Sequence, residues 1–468
     1  MASIQEAEQI VRRLTRKYGF LNEQMMDDIE QFNAQYRREI DENWLAMESA
    51  VSHSVKIGAR FVFELLQNAE DNIFKKAHAE KALPFVCFKI YPNKIIVECN
   101  EDGFTEPDLQ AICAVGQSTK SASHGYIGAK GIGFKSVFIA ASRVHIQSGN
   151  FSFEFRHNKT DPGIGMVRPI WVSPAETIPS PLTRTTLYIH DQGDPDEIQH
   201  LKRIISMQFD DLQETCLLFL HKLEQISLEF YGENGELERS KYFRKHKIDD
   251  YRVSLETTSG AHGVETTQSQ IYHITRQMAT NLARSDNREL PDTEEAKNTS
   301  SKAEVVLAFP ITDSSEPLIT QKNQDLFAFL PLRRSDYKFL IHSDFDTNAN
   351  RQDIVTTSRR NLDLRGWIAW PMFLPSSDTS SDAFWSGLDH EIQSLMKKAP
   401  VLKSRNRIDM RLVGDVVILA SDAKDAEGHP LFDDPTKDLY LSPSYSQKAI
   451  DILEGYGLGR LNIQTFLN

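Results

Sequence analysis

Glu64, Asn68 and Asp71 lie at i, i+4 and i+7 in a stretch whose Phe61, Val62, Leu65, Leu66, Ala69 and Ile73 are suited to burial. On a helix that spacing puts a carboxylate, a carboxamide and a second carboxylate on one face. Buried without partners they would cost several kcal/mol, so the face must meet water, a partner or a ligand. A solvated helix face is the plain alternative. Further on, HGYIGAKGIGFKSVF carries Gly125, Gly128, Gly131 and Gly133 just before an apolar run. Glycines ahead of a helix let backbone amides approach a phosphate. The string lacks the Gly-Lys-Ser/Thr ending of a P-loop and does not follow a strand as a dinucleotide fingerprint does. A third candidate is Asn100–Phe104, NEDGF, an acidic pair and a glycine at the end of a strand pattern. Strand ends beside helices are frequent ligand sites, and acidic turns are also common loops.

The elements that must position these residues alternate in type. RFVFELLQNAEDNIFKKA reads as a helix, FVCFKIYPNKIIVEC as two strands around Pro92-Asn93, and TEPDLQAICAVG as a helix opened by Thr105 with Asp108 three residues on. GIGFKSVFIAAS reads as another helix, followed by VHIQS and FSFEF around Gly149-Asn150 and then by TTLYIH. This pattern predicts an α/β layer of helices on one face of a mixed sheet. A second unit opens with DEIQHLKRIISMQFDDLQETCLLFLHKL and continues through strands near Ile226–Tyr231, Val305–Phe309, Phe327–Leu332 and Lys338–His342, with polar loops at Asp286–Lys302 and Pro375–Asp382. Over its 468 residues the chain is 40% hydrophobic and 25% charged, enough apolar side chain for several cores. No apolar run approaches ~18 residues, and the charged start has no apolar h-region, so neither a membrane span nor a secretory signal is expected. The four cysteines have no metal-ligand spacing, which points to free thiols and a cytoplasmic or nuclear setting. A formal charge of −13 argues against a nucleic-acid partner, and the basic run Arg244–Lys247 is too short to reverse that.

Taken together, E-x-x-x-N-x-x-D on a helix, an acid-x-Gly turn after a strand pair, a G-x-x-G-x-G lid and a Thr-led strand resemble, in this order, the GHKL ATPases. Within that superfamily ELLQNAEDN, NEDGFTEPDLQAIC, GQSTKSASHGYIGAKGIGFKSVF and FAFLPLRRSDYKFLIHSDFDTNANRQDI resemble the histidine-kinase-like, heat-shock-chaperone-like ATPase module of the NO VEIN and sacsin proteins, over roughly residues 50–360. The resemblance implies a two-layer Bergerat ATP-binding sandwich with a mixed, mostly antiparallel sheet, followed by a second α/β, middle-type domain. The corresponding division is a helical lead-in over 1–46, the ATP-binding domain over 47–193, the middle domain over 194–400, and a C-terminal extension over 401–468 that belongs to a longer architecture. It also implies ATP and Mg²⁺. Glu64 matches the general base, Asn68 the Mg²⁺ ligand, Asp71 the acid one turn on, and Gly128, Gly131 and Gly133 the lid glycines, with Lys130 and Lys135 near the phosphates. Thr183 matches the threonine that reaches the adenine-binding acid through water. Arg351 in NANRQDI matches an arginine that reaches the γ-phosphate, where such a group is worth ~10³-fold or more.

The sequence departs from the family pattern at the adenine anchor. The acid two residues before Gly103 is Glu101 instead of aspartate, Asp102 stands beside it, Thr105 replaces the second glycine, and Leu182 replaces the glycine before Thr183. Neighbouring side chains point to opposite sides of a strand, so one of the two acids holds adenine; Glu101 is favoured and Asp102 is the alternate. DPGIGM at Asp161–Met166 spells a similar string but follows the lid, and reads as a turn. The expected activity is slow Mg²⁺-dependent ATP hydrolysis driving lid and domain closure, in a chaperone-like or scaffold-remodelling role. Its rival is a nucleotide-sensing module without turnover. Phosphotransfer to histidine is disfavoured, since His53 and His78 read as surface residues. The implied partners are ATP and ADP, a protein client of unspecified kind and a nucleotide-dependent homodimer.

Overall fold

The computed structural model describes residues 3–18, 60–113, 134, 137–138, 140–157, 167–174, 176–261, 263–285, 301–314, 318, 324–335, 337–347, 353–369, 394, 402–405, 410–425, 429–432, 439–443, 445 and 447–462. Helix α1 (Ile4–Lys17) begins on a capping box, with Ser3 and Glu6 each accepting from the other's backbone. Helices α2 (Arg60–Glu70) and α3 (Lys75–Ala79) precede the strand pair β1 (Phe85–Ile90) and β2 (Lys94–Cys99), and α4 (Glu106–Cys113) follows. Next come β3 (Ala141–Ser148), β4 (Phe151–Arg156), β5 (Ile170–Trp171), β6 (Thr183–Ile189) and α5 (Pro195–Asp210). Strands β7 (Gln225–Tyr231), β8 (Leu237–Lys247), β9 (Arg252–Ala261), β10 (Val264–Ala279), β11 (Ala303–Ile311), β12 (Asp325–Ala328), β13 (Leu330–Arg334) and β14 (Leu340–Ser343) lead to α6 (Arg359–Ala369). Small two-stranded pairings, β15 (Leu402–Lys403) with β16 (Met410–Arg411) and β17 (Val417–Leu419) with β18 (Gly459–Leu461), accompany α7 (Gln447–Gly455). Among the described residues no helix is long and apolar enough to cross a membrane.

Strands β1 to β14 form one sheet in the order β13-β12-β14-β11-β10-β9-β8-β7-β1-β2-β6-β3-β4-β5. Its neighbours are antiparallel except at β1/β7 and β12/β14. Alternation along β1, β2, β3, β4 and β6 sends Val86, Phe88, Ile95, Val144, Ile146, Phe153, Phe155 and Leu187 to one buried face. Helices cover that face: Phe61 of α2 meets Phe209 of α5 edge-on at 6.4 Å, and Phe209 lies 5.3 Å from Phe88 of β1. The other face carries a charged row, in which Glu98 is bonded by Lys89 and Arg184, both at 2.8 Å. Burial opposes its ionisation, yet these two cations hold its carboxyl below the usual range.

Several sequence expectations change. The helix expected through Lys76 stops at Glu70, and Asp71 only closes its last turn. The Lys222 ammonium takes the carbonyls of Asp71 and Asn72 at 3.1 and 2.8 Å, which satisfies the helix end where it stands. Ile73, expected inside, is therefore left 51% exposed in the turn between α2 and α3. Strand β3 begins at Ala141, within a stretch expected as helix. Within the run DEIQHLKRIISMQFDDLQETCLLFLHKL, α5 ends at Asp210 and a buried 3₁₀ turn, Glu214–Leu218, follows. Strands β8, β9 and β10 carry polar residues on both faces over much of their length, so they lack the two-residue alternation that would reveal them. The Arg244–Lys247 run lies on β8, and Lys245 turns inward to the Leu220 carbonyl at 2.6 Å. Burial pushes that ammonium down to about 8, against the pull of Glu70 and Glu224. All four cysteines are free and buried; burial pushes Cys87 and Cys216 up to about 12, so they are poor nucleophiles.

The two halves of the sheet meet where β7 pairs in parallel with β1, from Phe85 opposite Gln225 to Ile90 opposite Phe230. Glu70, 1% exposed at the end of α2, governs the approach to β7. Its carboxylate accepts the backbone N–H groups of His221 and Lys222 at 2.6 and 2.9 Å on one oxygen and of Leu223 at 3.0 Å on the other. Just before this segment Phe219 stacks on His342 of β14 at 4.9 Å. His342 is buried, and its Nδ1 accepts the Phe329 N–H at 3.1 Å.

Glu70→Ala removes the acceptor of three amides, the buried one of Leu223 and the part-buried ones of His221 and Lys222, and is expected to lower the unfolding free energy by about 3 kcal/mol, read by urea denaturation. A second expectation concerns pH. Burial, with His221 and Arg276 adding, pushes His342 down to about 3, so it stays neutral in the folded chain while the unfolded chain binds its proton near 6.5. Its contribution is full above pH ~6.5 and falls as pH drops towards 3, by about 2 kcal/mol at pH 5. The stability difference between pH 7 and pH 5 should shrink by that amount in His342→Gln; an unchanged slope would contradict it.

Candidate nucleotide site at the strand ends

Three strand ends come together on the helix-covered side of the sheet. Cys99 closes β2 opposite Thr183, and Thr183 opens β6 opposite Ser148, the last residue of β3. Thr183 is in phase with Leu187 and Ile189, and Ser148 with Val144 and Ile146, so both hydroxyls point to the buried side. Glu101, 5% exposed, lies just beyond β2. One of its carboxylate oxygens accepts the Thr183 hydroxyl, and the other accepts the Gly103 N–H at 3.1 Å. The Thr183 and Ser148 oxygens are 2.6 Å apart, and the Phe104 N–H donates to Ser148 at 2.8 Å. Gly103 has φ +94°, a conformation that side chains strain to adopt, and a Cβ there would sit 3.4 Å from the Ser148 oxygen. Burial raises the Glu101 pKa; the Thr183 and Gly103 donors pull it down, and Asp108 and Asp102 add to the rise.

Asp102 has different work. Its carboxylate accepts the Lys76 N–H at 2.8 Å, its own N–H donates to the Ile73 carbonyl at 2.8 Å, and the Lys76 ammonium returns to its carbonyl at 2.5 Å. It caps the first turn of α3 from outside that helix, a favourable place for a carboxylate. Asn100 ties the start of β1, accepting from Phe85 and donating to Leu83, both at 2.8 Å. Thr105 heads α4: the Asp108 carboxylate accepts its N–H at 2.8 Å and its hydroxyl at 2.6 Å. The threonine that replaces a glycine in the expected motif is thus committed to a helix start.

Glu64 and Asn68 are half-buried and one turn apart on α2, and Asp71 is 3% exposed at its end. The structure therefore brings Glu101, Gly103 and Thr183 together and sends Asp102 to α3. Gly128, Lys130, Gly131, Gly133, Lys135 and Arg351 lie outside the described residues, as does Asp161–Met166. Both flanks of the Arg351 segment are described: Thr347 bridges Ile354, the Val355 N–H donates to the Asp346 carbonyl at 2.8 Å, and the Asp346 carboxylate accepts the hydroxyls of Ser285 and Ser358. Ser148 and Glu70 were not among the sequence candidates. Ser148 had a readable signal, a hydroxyl in phase with the apolar Val144 and Ile146; Glu70 had none, because its partners are backbone amides far along the chain.

Among the described residues no three His, Cys, Asp or Glu side chains are grouped to hold a metal ion. A cation here would draw on single donors such as the Asn68 carboxamide, which suits a hard ion that keeps water and phosphate oxygens as its other ligands.

No protein-family model matches the chain. It is similar to Protein NO VEIN of Arabidopsis thaliana, 30% identical over 360 residues, which is 74% of this chain and 12% of that protein. The chain thus spans a small part of its curated relative's length. Among solved structures, the crystal structure of the N-terminal domain of a DNA repair protein aligns with 71% of this chain and 93% of its own, at 11% identity and a TM-score of 0.38, too low to carry an argument.

The split between the two acids has a measurable consequence. Asp102→Ala should lower stability by about 1 kcal/mol, the worth of a helix cap, and leave binding at Glu101 within about twofold of wild type. A large loss of ligand affinity on Asp102→Ala, with Glu101→Ala unaffected, would reverse the assignment.

Proposed function

We propose that this chain is an ATP-binding module of the NO VEIN and sacsin type, a Bergerat-type site built on β1, β2, β3 and β6 under α2, with slow Mg²⁺-dependent hydrolysis. The observation that carries the reading is the buried Glu101 carboxylate at the strand ends, with both oxygens engaged by donors and lone pairs left for one more. A buried acceptor of this kind suits an amino group such as adenine's. The similarity to NO VEIN over 360 residues supports the same reading.

In this proposal Asn68 would hold Mg²⁺ through its carboxamide oxygen, and the ion would supply charge neutralisation at phosphate oxygens. Glu64, one turn earlier on α2, would accept the proton of the attacking water. Gly128, Gly131 and Gly133 offer backbone amides to phosphate, Lys130 adds charge, and Arg351 stabilises the charge that develops during transfer. The product state would then alter how the two halves of the sheet present themselves to a client.

A second reading, a nucleotide sensor without turnover, is favoured by the anchor itself. Glutamate replaces aspartate there, and Thr105 is used as a helix cap where the motif has a glycine.

One experiment separates the readings: calorimetric titration with ATP and Mg²⁺, with phosphate release followed in the same preparation for wild type and Glu64→Ala. Binding by both and release by wild type alone, reduced at least ~100-fold in Glu64→Ala, is the expected result. Binding without release by either supports the sensor. Absence of binding by wild type removes both.

A further inference from the structure

The hydrogen-bond chain behind Glu101 runs in a fixed direction. The Phe104 N–H can only donate, so it makes the Ser148 oxygen an acceptor. Thr183 has one proton, and it goes to the Glu101 carboxylate. The 2.6 Å contact between Ser148 and Thr183 is then satisfied only if Ser148 is the donor. The order is Phe104 N–H to Ser148, Ser148 O–H to Thr183, and Thr183 O–H to Glu101. Each hydroxyl that accepts becomes a better donor, so the effect accumulates at the carboxylate. Ser148 is fully buried, and its exchange with bulk water cannot replace this order.

Reversal is blocked at Ser148. If Glu101 carried a proton on the oxygen facing Thr183, Thr183 would have to turn its own proton to Ser148. Ser148 would then accept from both Phe104 and Thr183, and its proton would lose the Thr183 acceptor. The other Glu101 oxygen already accepts the Gly103 N–H.

We infer that Ser148 is a positioning residue of this site, which directs the Thr183 proton onto Glu101 and so presents the carboxylate purely as an acceptor, selecting a base that offers an amino group over one that offers a carbonyl. This deepens the nucleotide reading above and rests on it for the ligand class alone. Among the described residues, the charged and titratable groups that act on Glu101 include Asp102 on its own segment, Asp108 of α4 and Cys99 of β2. The two aspartates oppose its ionisation, and Cys99, itself raised well above its usual value by burial, stays neutral. The hydroxyl chain and the Gly103 N–H are what work against them.

The first arm of the test needs no nucleotide. In a carboxyl-detected NMR titration of glutamate-labelled protein, with the Glu101 signal assigned by its loss in Glu101→Gln, the midpoint should rise by about half a pH unit in Ser148→Ala and by about one unit in Thr183→Val. Wild-type and Ser148→Ala midpoints that coincide would overturn the inference, since a serine that merely fills space would not move them. The second arm compares ATP with inosine triphosphate, which carries a carbonyl where adenine has its amino group. Wild type should prefer ATP, and Ser148→Ala should lose about threefold of that preference, the loss growing as pH falls. An undiminished preference in Ser148→Ala overturns the selecting role. If wild type binds neither nucleotide while the midpoint still shifts, the nucleotide reading falls and the positioning of Glu101 by Ser148 stands.

Discussion

One buried carboxylate fixes the relation between the site helix and the rest of the molecule. Glu70 ends α2 and receives the amides of residues 221 to 223, the segment that delivers β7 to the edge of β1. Without that acceptor three N–H groups would lose their partner, one of them fully buried, and the parallel pairing of β7 on β1 would lose its lead-in. Lys222 reinforces the contact from the other side by taking the carbonyls at the end of α2, and Lys245 of β8 takes the Leu220 carbonyl. Two cations and one anion thus meet the backbone groups of a helix end and a loop, and each compensates for its own burial. Asn68 and Glu64, two and six residues back along the same helix, inherit their placement from this junction.

The second constraint is local and electrostatic. Glu101 is buried among groups that disfavour its charge, and donors at both oxygens offset this. Gly103 permits the turn that aims its own amide at the carboxylate, and the same turn brings the Phe104 amide to Ser148. Asp102, one residue from Glu101, goes to α3 because the turn carries it past the end of the strand. A two-residue stretch of acid therefore does two unrelated jobs, one among the strand-end hydroxyls and one at a helix start.

What could be read from the sequence depended on how far apart the partners lie. The helix of Glu64 and Asn68, the pair β1 and β2, and the Thr105 start of α4 are encoded by neighbours, and periodicity or caps reveal them. Favouring Glu101 rested on its place two residues before Gly103, and the expectation that only one of the two acids could serve rested on alternation along a strand, although both residues prove to lie beyond β2, which ends at Cys99. The end of α2 at Glu70 was not legible, because Lys222, which satisfies the helix end, is about 150 residues away. Strands β8, β9 and β10 escaped for a different reason: polar residues on both faces leave no alternation to find, and only pairing with neighbours defines them. Ser148 was legible in principle, as a hydroxyl in phase with the apolar Val144 and Ile146 of β3.

The continuity of the sheet limits how a bound ligand could act at a distance. β7 belongs by sequence to the second unit and by pairing to the first, so the two halves share a ladder of hydrogen bonds instead of a hinge. Displacing α2 alone would break three charge-assisted bonds at Glu70, at about 1.5–3 kcal/mol each, a sum comparable to the whole stability of an ordinary domain. The helix and the segment before β7 must therefore move as one body. Phe219, seated on His342 and Phe327, extends that body to β12 and β14. Any change at Glu64 or Asn68 that reaches the far half would travel through this packed junction, and the residues that change position must lie outside it.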